Sequence, residues 1–149
     1  MFNRSAKLAL AACLVTAIAV VNAPHAGAQE AGEVSVTFSG ITAPKGAVFF
    51  GLYDSEAAFA GGQPVRGDRL AVAGASASTS IKGLKPGRYA IKAYHDIDGD
   101  GRMNTNAFGI PTEPYAASNN APSTMGPPAW ADAVFEVGAD GAVQTIAID

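Results

Sequence analysis

Cysteine is almost absent from this sequence, because the 149 residues contain only Cys13. That residue lies in an N-terminal segment that we expect to be removed, so the remaining chain can form no disulfide and no thiolate metal site. Histidine is nearly as scarce, with His25 and His95, and only His95 follows that segment. A transition-metal centre and imidazole-rich catalysis are therefore disfavoured.

Positive charge is also sparse and is nowhere clustered. The sequence has 10 Lys and Arg against 13 Asp and Glu. Removal of Arg4 and Lys7 with the N-terminal segment leaves 8 basic and 13 acidic residues, a net charge of −5. Nucleic acid and anionic membrane surfaces are therefore not expected as partners.

The one long apolar run covers residues 8–21 and has the flanks of a signal peptide. Arg4 and Lys7 precede the run, and Ala26-Gly27-Ala28 supplies the small residues of a cleavage site. We therefore predict that residues 1–28 are a signal peptide and that residues 29–149 form one periplasmic or secreted domain. The run is too short for a transmembrane anchor. Lipoprotein processing at "LAAC" is disfavoured, since about five apolar residues would precede Cys13 where about seven are needed.

A helical period sustained over three turns is missing after residue 29. Apolar and polar residues instead alternate in 33–39, 76–81 and 86–95, while 46–54 is apolar on both faces, as in a central strand. Gly51 should lie there against a neighbouring side chain. Shorter strands are predicted at 69–74, 132–138 and 142–149. About seven strands separated by turns favour an all-β, antiparallel β-sandwich.

Two segments depart from this strand pattern. Residues 54–62 predict one helical turn capped by Asp54 or Ser55. Residues 97–130 show no sustained period and contain five prolines, an unusual length for a loop in a compact domain. We predict a long ordered loop that packs on the sandwich through its own apolar side chains, Phe108, Ile110, Tyr115 and Trp130.

The start of this loop, "DIDGDGRMN", resembles the beginning of a calcium loop. Asp96, Asp98 and Asp100 alternate and Gly101 follows, as in an EF-hand, with the Arg102 carbonyl and Asn104 at the next ligand positions. The closing Glu is absent because Ala107 occupies its place, so an EF-hand is excluded. Asn106 or Glu113 could supply the missing oxygen. A Ca²⁺ site and a metal-free acidic turn both fit this composition.

Enzyme sites are less well supported by the residues. His95, Asp96 and Ser118 suggest a hydrolytic triad, but neighbouring strand residues point to opposite faces, and no nucleophile elbow is present. Asp96 and Glu113 could form a glycosidase pair, although nothing in the sequence fixes their separation. Packing at a strand end is the alternative role for His95.

The aromatic residues leave a similar choice. Tyr89, Tyr94 and Trp130 could form a platform for a sugar or peptide. Core packing is the commoner role of such residues in a sandwich.

The chain also resembles the DUF2141 family of small exported bacterial proteins. The resemblance rests on "GLKPGRYAIKAYHD", the acidic loop, "GIPTEPY", "SNNA" and "DAVFEV", and it covers essentially the whole predicted mature chain. It implies an immunoglobulin-like or transthyretin-like sandwich without an established activity. Departures occur at Asp98, Asp100 and Asn104, where the family usually has Asn, Asn and Asp.

Together these features predict an exported, non-enzymatic binding or structural module of the cell envelope. Calcium would stabilise it through the loop at 96–104, and its partner would be an envelope ligand or protein that the sequence does not identify. The alternative is a hydrolase that acts on glycan or peptide through carboxylates of the long loop.

Overall fold

The computed structural model describes residues 31–124 and 126–148. The predicted signal peptide lies outside the described residues. Within them, eight strands and two short helices follow one another, with a single 3-10 turn at Ser118–Asn120. None of the helices described is long and apolar enough to cross a membrane. The elements are β1 (Gly32–Ser39), β2 (Ala47–Tyr53), α1 (Glu56–Gly61), β3 (Arg66–Ala71), β4 (Ala77–Leu84), β5 (Gly87–Asp96), β6 (Tyr115–Ala117), α2 (Trp130–Ala133), β7 (Phe135–Val137) and β8 (Ala142–Ala147).

The first sheet has the strand order β4-β1-β8. Its central strand β1 buries Val34, Val36 and Phe38 and exposes the residues between them to different degrees, which confirms the predicted alternation. β1 pairs with β4 antiparallel and with β8 parallel. The parallel pair differs from the purely antiparallel prediction, because the last strand returns to the free edge of β1 in the same direction.

The second sheet has the order β3-β2-β5-β6, and β7 also pairs with β5. The ten-residue β5 accommodates both short strands, since Lys92–Tyr94 pair with β6 and Gly87–Tyr89 pair with β7. β2 is central, as predicted. A Cβ added at Gly51 would lie 3.0 Å from the Pro64 side chain, so the expected close approach is confirmed.

The five-stranded sheet is covered by apolar residues on both faces. Its inner face packs against the first sheet in the main core, where β5 contributes Tyr89 and Ile91. Ala90, on the outer face of the same strand, belongs to a second cluster, which we call the outer cluster, with Phe59 of α1 and Ala133 of α2. β2 lies beside β5 in this sheet, so its side chains also meet apolar residues on both faces. This position explains the two-sided apolar pattern of β2.

Both helices are short. α1 confirms the predicted turn, and Ser55 is its cap, since its Oγ accepts a hydrogen bond from the Ala58 amide at 3.4 Å. α2 corrects the strand predicted at 132–138, which begins only at Phe135. Trp130 causes the difference, because its ring packs edge-on against Phe59 at 5.6 Å and keeps this segment on the outer cluster.

The segment 97–130 is more regular than predicted. It contains β6, and residues 104–112 form a small hairpin, which we call the tip hairpin, with a bridge between Thr105 and Pro111. Phe108 and Ile110 were expected to pack on the sandwich, but they are 88% and 58% exposed. The hairpin carries them away from the core. The strand predicted at 69–74 is also shifted, because β3 begins at Arg66 and ends at Ala71.

Candidate metal centre and outer groove

Asp96 ends β5 and organises the acidic loop, residues 96–104. Its side chain is only 1% exposed. Its two oxygens accept hydrogen bonds from the amides of Gly99 at 2.6 Å and Gly101 at 2.9 Å. Burial disfavours the ionised form, but the amides of Gly101 and Gly99 outweigh it and lower the pKa of Asp96 below its ordinary value. Both glycines have positive φ, which lets the loop turn its amides inward.

Glu113 joins the beginning of the acidic loop to its end. One carboxylate oxygen accepts the Ile97 amide at 2.8 Å, and the other accepts the Asn104 amide at 3.1 Å. The side chain is buried, at 8% exposure. Glu113 can reach the loop because the tip hairpin reverses the chain, and the Thr112 amide bonds the Asn104 carbonyl at 2.8 Å.

Asp98 lies in the turn between these two carboxylates. Its Oδ1 accepts the Asp100 amide at 3.1 Å, and its Oδ2 accepts the Asn104 side-chain amide at 2.7 Å. Single carboxylate oxygens of Asp96, Asp98 and Glu113 lie within 4.8 Å of one another. We call these three residues the acidic cluster.

The other residues considered for calcium lie around this cluster in different ways. Asp100 is exposed, and its Oδ1 accepts the Arg102 amide at 2.8 Å. Asn104 touches the cluster through its bonds to Asp98 and Glu113. The Asn106 side-chain oxygen instead accepts the amides of Phe108 and Ile110 and so forms the tip hairpin.

The spacing of the acidic cluster fits a cation of the size of calcium. Oxygens around one Ca²⁺ ion lie about 2.3–2.6 Å from it, and two of them on opposite sides are therefore roughly 4.6–5.2 Å apart. Oxygens of all three carboxylates lie within 4.8 Å of one another, so a single ion of this size could contact all three. Each carboxylate oxygen has two lone pairs, so an oxygen that accepts one amide can still bind a cation.

His95 and Ser118 are both committed to structural contacts. The His95 ring bonds the Lys45 carbonyl through Nε2 at 2.8 Å, and its side chain is 1% exposed. The hydroxyl of Ser118 donates to the Ala133 carbonyl at 2.5 Å and accepts the Ile91 amide at 2.9 Å. Ser118 therefore links the second sheet to α2.

Sequence reasoning missed the role of the two asparagines after Ser118. Both have positive φ, at 58° and 50°. The Asn119 amide N–H donates to Gln144 at 3.0 Å, and its side chain donates to the Val134 carbonyl at 2.9 Å. Asn120 accepts the Ala147 amide at 2.8 Å. This pair therefore holds the edge strand β8 of the first sheet against the second sheet.

The three aromatic residues considered for a platform are dispersed. Tyr89 belongs to the main core, whereas Trp130 packs on the outer cluster. Tyr94 stacks on Phe49 of the neighbouring strand, with ring centroids 5.3 Å apart. The pairing of Phe49 with Tyr94 in the sheet explains this stack.

A groove crosses the outer face of the five-stranded sheet beside the acidic loop. It consists of two adjoining cavities of about 670 and 390 Å³, which share Lys92, Ala93 and Met103 in their walls. We call them the outer groove. The larger cavity lies between β6, the tip hairpin and residues 123–124 and 126–128, whereas Phe49, Tyr53 and Tyr94 line the smaller one.

The alternation of side chains in β2 and β5 indicates this groove already at the level of the sequence. Phe49 and Tyr53 of β2 alternate with residues that face the main core, and so do Lys92 and Tyr94 of β5. An outer face with three aromatic rings and one lysine is unusual for a surface that meets only water.

The comparisons with known proteins identify a family and no closer relative. The family model described as "Uncharacterized protein conserved in bacteria (DUF2141)" matches residues 36–146, which confirms the resemblance seen in the sequence. Neither the curated proteins nor the solved structures gave a match.

Proposed function

Because this chain belongs to the DUF2141 family, whose description assigns no activity, we propose its function from its own geometry. The proposed function is that of an exported, non-enzymatic binding or structural module of the cell envelope, stabilised by calcium. The observation that carries the proposal is the convergence of Asp96, Asp98 and Glu113 within 4.8 Å. Two of these carboxylates are buried, and a buried group of like charges is favourable only with compensating charge or hydrogen bonds.

Calcium would add positive charge to the hydrogen bonds that already compensate these carboxylates, and it would further stabilise the acidic loop. Carboxylates of Asp96, Asp98 and Glu113 would bind the ion. The Asn104 side chain would also contribute if its amide turned by 180° and presented its oxygen beside Asp98. Hard oxygen ligands of this kind suit Ca²⁺, whereas Mg²⁺ requires a smaller octahedral site.

The outer groove supports a role in binding. Met103 belongs to the acidic loop and also lines both cavities of the groove. The acidic loop therefore forms one wall of the groove. Cavities of about 300–1,000 Å³ with mainly apolar walls are typical ligand sites.

No contact of the described residues favours the hydrolase alternative over this module. Asp96 and Glu113 are buried, and their oxygens accept backbone amides. A general acid and a nucleophile must instead reach the substrate directly. The module is therefore the better supported proposal.

Thermal unfolding with and without calcium tests the proposal. A ligand at 100 times its dissociation constant stabilises the folded state by about 2.7 kcal/mol. A domain of this size gains about 4 °C per kcal/mol, so this stabilisation corresponds to a shift of about 10 °C. Affinities of about 10⁻⁴ to 10⁻³ M are typical of extracellular modules, so calcium at about 5–10 mM is about 5 to 100 times the dissociation constant and should raise the melting temperature by about 4–10 °C. A melting temperature within about 1 °C of the chelated sample at these concentrations would contradict the proposal, and magnesium serves as the control.

A further inference from the structure

Lys92 lies at the junction of the two cavities of the outer groove, and among the described residues it is the only charged one that lines either of them. Its position in β5 places it on the same face as Tyr94 and opposite the main core. The ammonium group donates a hydrogen bond to the Phe59 carbonyl. It also lies 4.2 Å from the centroid of the Phe59 ring and 5.6 Å from that of Tyr53.

No carboxylate of the described part of the chain lies within 4.0 Å of this ammonium group. Among the residues that the structure describes, the single ion pair within 4.0 Å joins Lys82 and Glu33 on the other sheet. Partial burial lowers the pKa of Lys92, as expected for a cation that has lost water without gaining an anion. The aromatic rings supply part of the compensation through cation–π attraction.

The walls around Lys92 are mainly apolar. Met103, Ile110 and Tyr115 line the larger cavity, and Ile110 is 58% exposed. Asn106 holds this wall in place, because its side-chain oxygen accepts the amides of Phe108 and Ile110. An ordered apolar wall beside one uncompensated cation is a site of amphipathic character.

We propose that the outer groove binds a small amphipathic carboxylate, with its apolar body against Met103, Ile110 and Tyr115 and its anionic head on the ammonium group of Lys92.

The ammonium group of Lys92 and the apolar wall both suit an amphipathic carboxylate. An ammonium group has three N–H donors, and the Phe59 carbonyl occupies one of them, so two can bind a carboxylate. The charge-assisted bonds would form in a partly desolvated site, where they are stronger than in water. This binding site is separate from the acidic cluster and does not require calcium, so chelated protein is the proper sample.

Isothermal titration of the wild-type protein in EDTA with hexanoate and octanoate tests the proposal. Each buried methylene contributes about 0.8 kcal/mol, or nearly fourfold in affinity, so octanoate should bind up to about 15-fold more tightly than hexanoate. Octanol and octylamine have the same chain without the anion, and they should bind more weakly than octanoate. Absence of octanoate binding, or equal binding of octanoate and octylamine, would overturn the proposal.

Variants separate the head-group contact from the apolar wall. Lys92→Met should weaken octanoate binding about 10- to 100-fold, as expected for the loss of a charged hydrogen bond, and Lys92→Arg should retain binding. Ile110→Ser should reduce the preference for octanoate over hexanoate. The matched controls are Lys82→Met and Val143→Ser, because both residues are exposed on the first sheet.

The same variants distinguish a merely structural lysine. If Lys92 served only to hold α1 through Phe59, the wild type would bind no carboxylate, and that result refutes the proposal. Unchanged binding in a folded Lys92→Met protein also refutes it. If Lys92→Met does not fold, two other measurements test the proposal. These are the comparison of octanoate with octanol and octylamine on the wild type, and the titration of Ile110→Ser with octanoate and hexanoate. Calcium should leave octanoate affinity within about threefold, so the proposed metal site can fail without affecting this result.

Discussion

Glu113 reaches across the acidic loop to the carboxylate of Asp96, and single oxygens of the two side chains lie within 4.8 Å. Backbone amides stabilise both carboxylates. Asp96 accepts hydrogen bonds from the amides of Gly99 and Gly101. Glu113 accepts hydrogen bonds from the amides of Ile97 and Asn104. The loop can therefore fold without an ion, and a cation would add to an arrangement that already exists.

Asp98 and Asp100 offer a matched pair for the calcium proposal. Both are exposed, but only Asp98 belongs to the acidic cluster. Asp98→Asn should therefore remove most of the calcium-dependent rise in melting temperature, which is about 6–10 °C in the wild type at about 10 mM calcium. Asp100→Asn should retain most of it. Differential scanning calorimetry with 10 mM calcium or EDTA measures both, and equal losses in the two variants would contradict the assignment of ligands.

Stability in EDTA should depend on the ionisation of Asp96. Its folded-state pKa lies below the ordinary value of 3.8. The unfolded chain therefore takes up the proton first as the pH falls, and the stabilisation that is present above pH 3.8 is lost as the pH approaches the folded-state pKa. Urea unfolding between about pH 5 and pH 2 should show a smaller loss for Asp96→Asn than for the wild type. If the free energies of unfolding of the two proteins fell in parallel with pH, ionisation of Asp96 would make no contribution to stability.

Gly46 should tolerate no side chain, because it lies against the end of β5. Its φ is +72°, and an added Cβ would lie 2.0 Å from the Asp96 carbonyl oxygen. Gly46→Ala should cost about 2 kcal/mol or more, since backbone must move as well as adopt an unfavourable φ. Gly74→Ala is the control, with no atom near the added Cβ and an expected change within about 0.5 kcal/mol. Chemical denaturation of both variants provides the comparison.

Asn119 should contribute to stability through both its backbone and its side chain. Asn119→Gly retains access to positive φ but loses the side-chain bonds to Val134 and Gln144, at a cost of about 1–3 kcal/mol. Asn119→Ala should be less stable than the glycine variant by about a further 1 kcal/mol, because alanine resists the left-handed conformation. Denaturant titration measures the difference, and equal stability of the two variants would exclude backbone strain at this site.

Local alternation was sufficient to predict the longer strands and which of their side chains are buried. Val34, Val36 and Phe38 must face the core because strand side chains alternate, whatever the rest of the chain does. The same reasoning identified β2 as a central strand and Gly51 as a point of close approach. Short strands were harder, because the three residues of β6 have no measurable period and form a strand only through pairing with β5.

The candidate site depended on contacts between distant segments. The sequence placed Asp96, Asp98 and Asp100 at calcium-loop spacing and indicated Glu113 or Asn106 as a further ligand. The tertiary structure places Glu113 at the loop, because the tip hairpin returns it there, and it uses the Asn106 side chain for the turn of the hairpin itself. Calcium binding by either residue stays a prediction. The tertiary structure also separated Asp100 from the acidic cluster.

The sequence by itself determined which residues alternate, which charges are present and where a tight acidic turn must form, because these depend on neighbours along the chain. The tertiary structure alone decided that β5 receives two short strands, that Phe108 and Ile110 remain exposed, and that Lys92 lies between two apolar cavities. These features depend on strand pairing and chain reversal between segments far apart in the sequence, and no local pattern specifies which distant segments will meet.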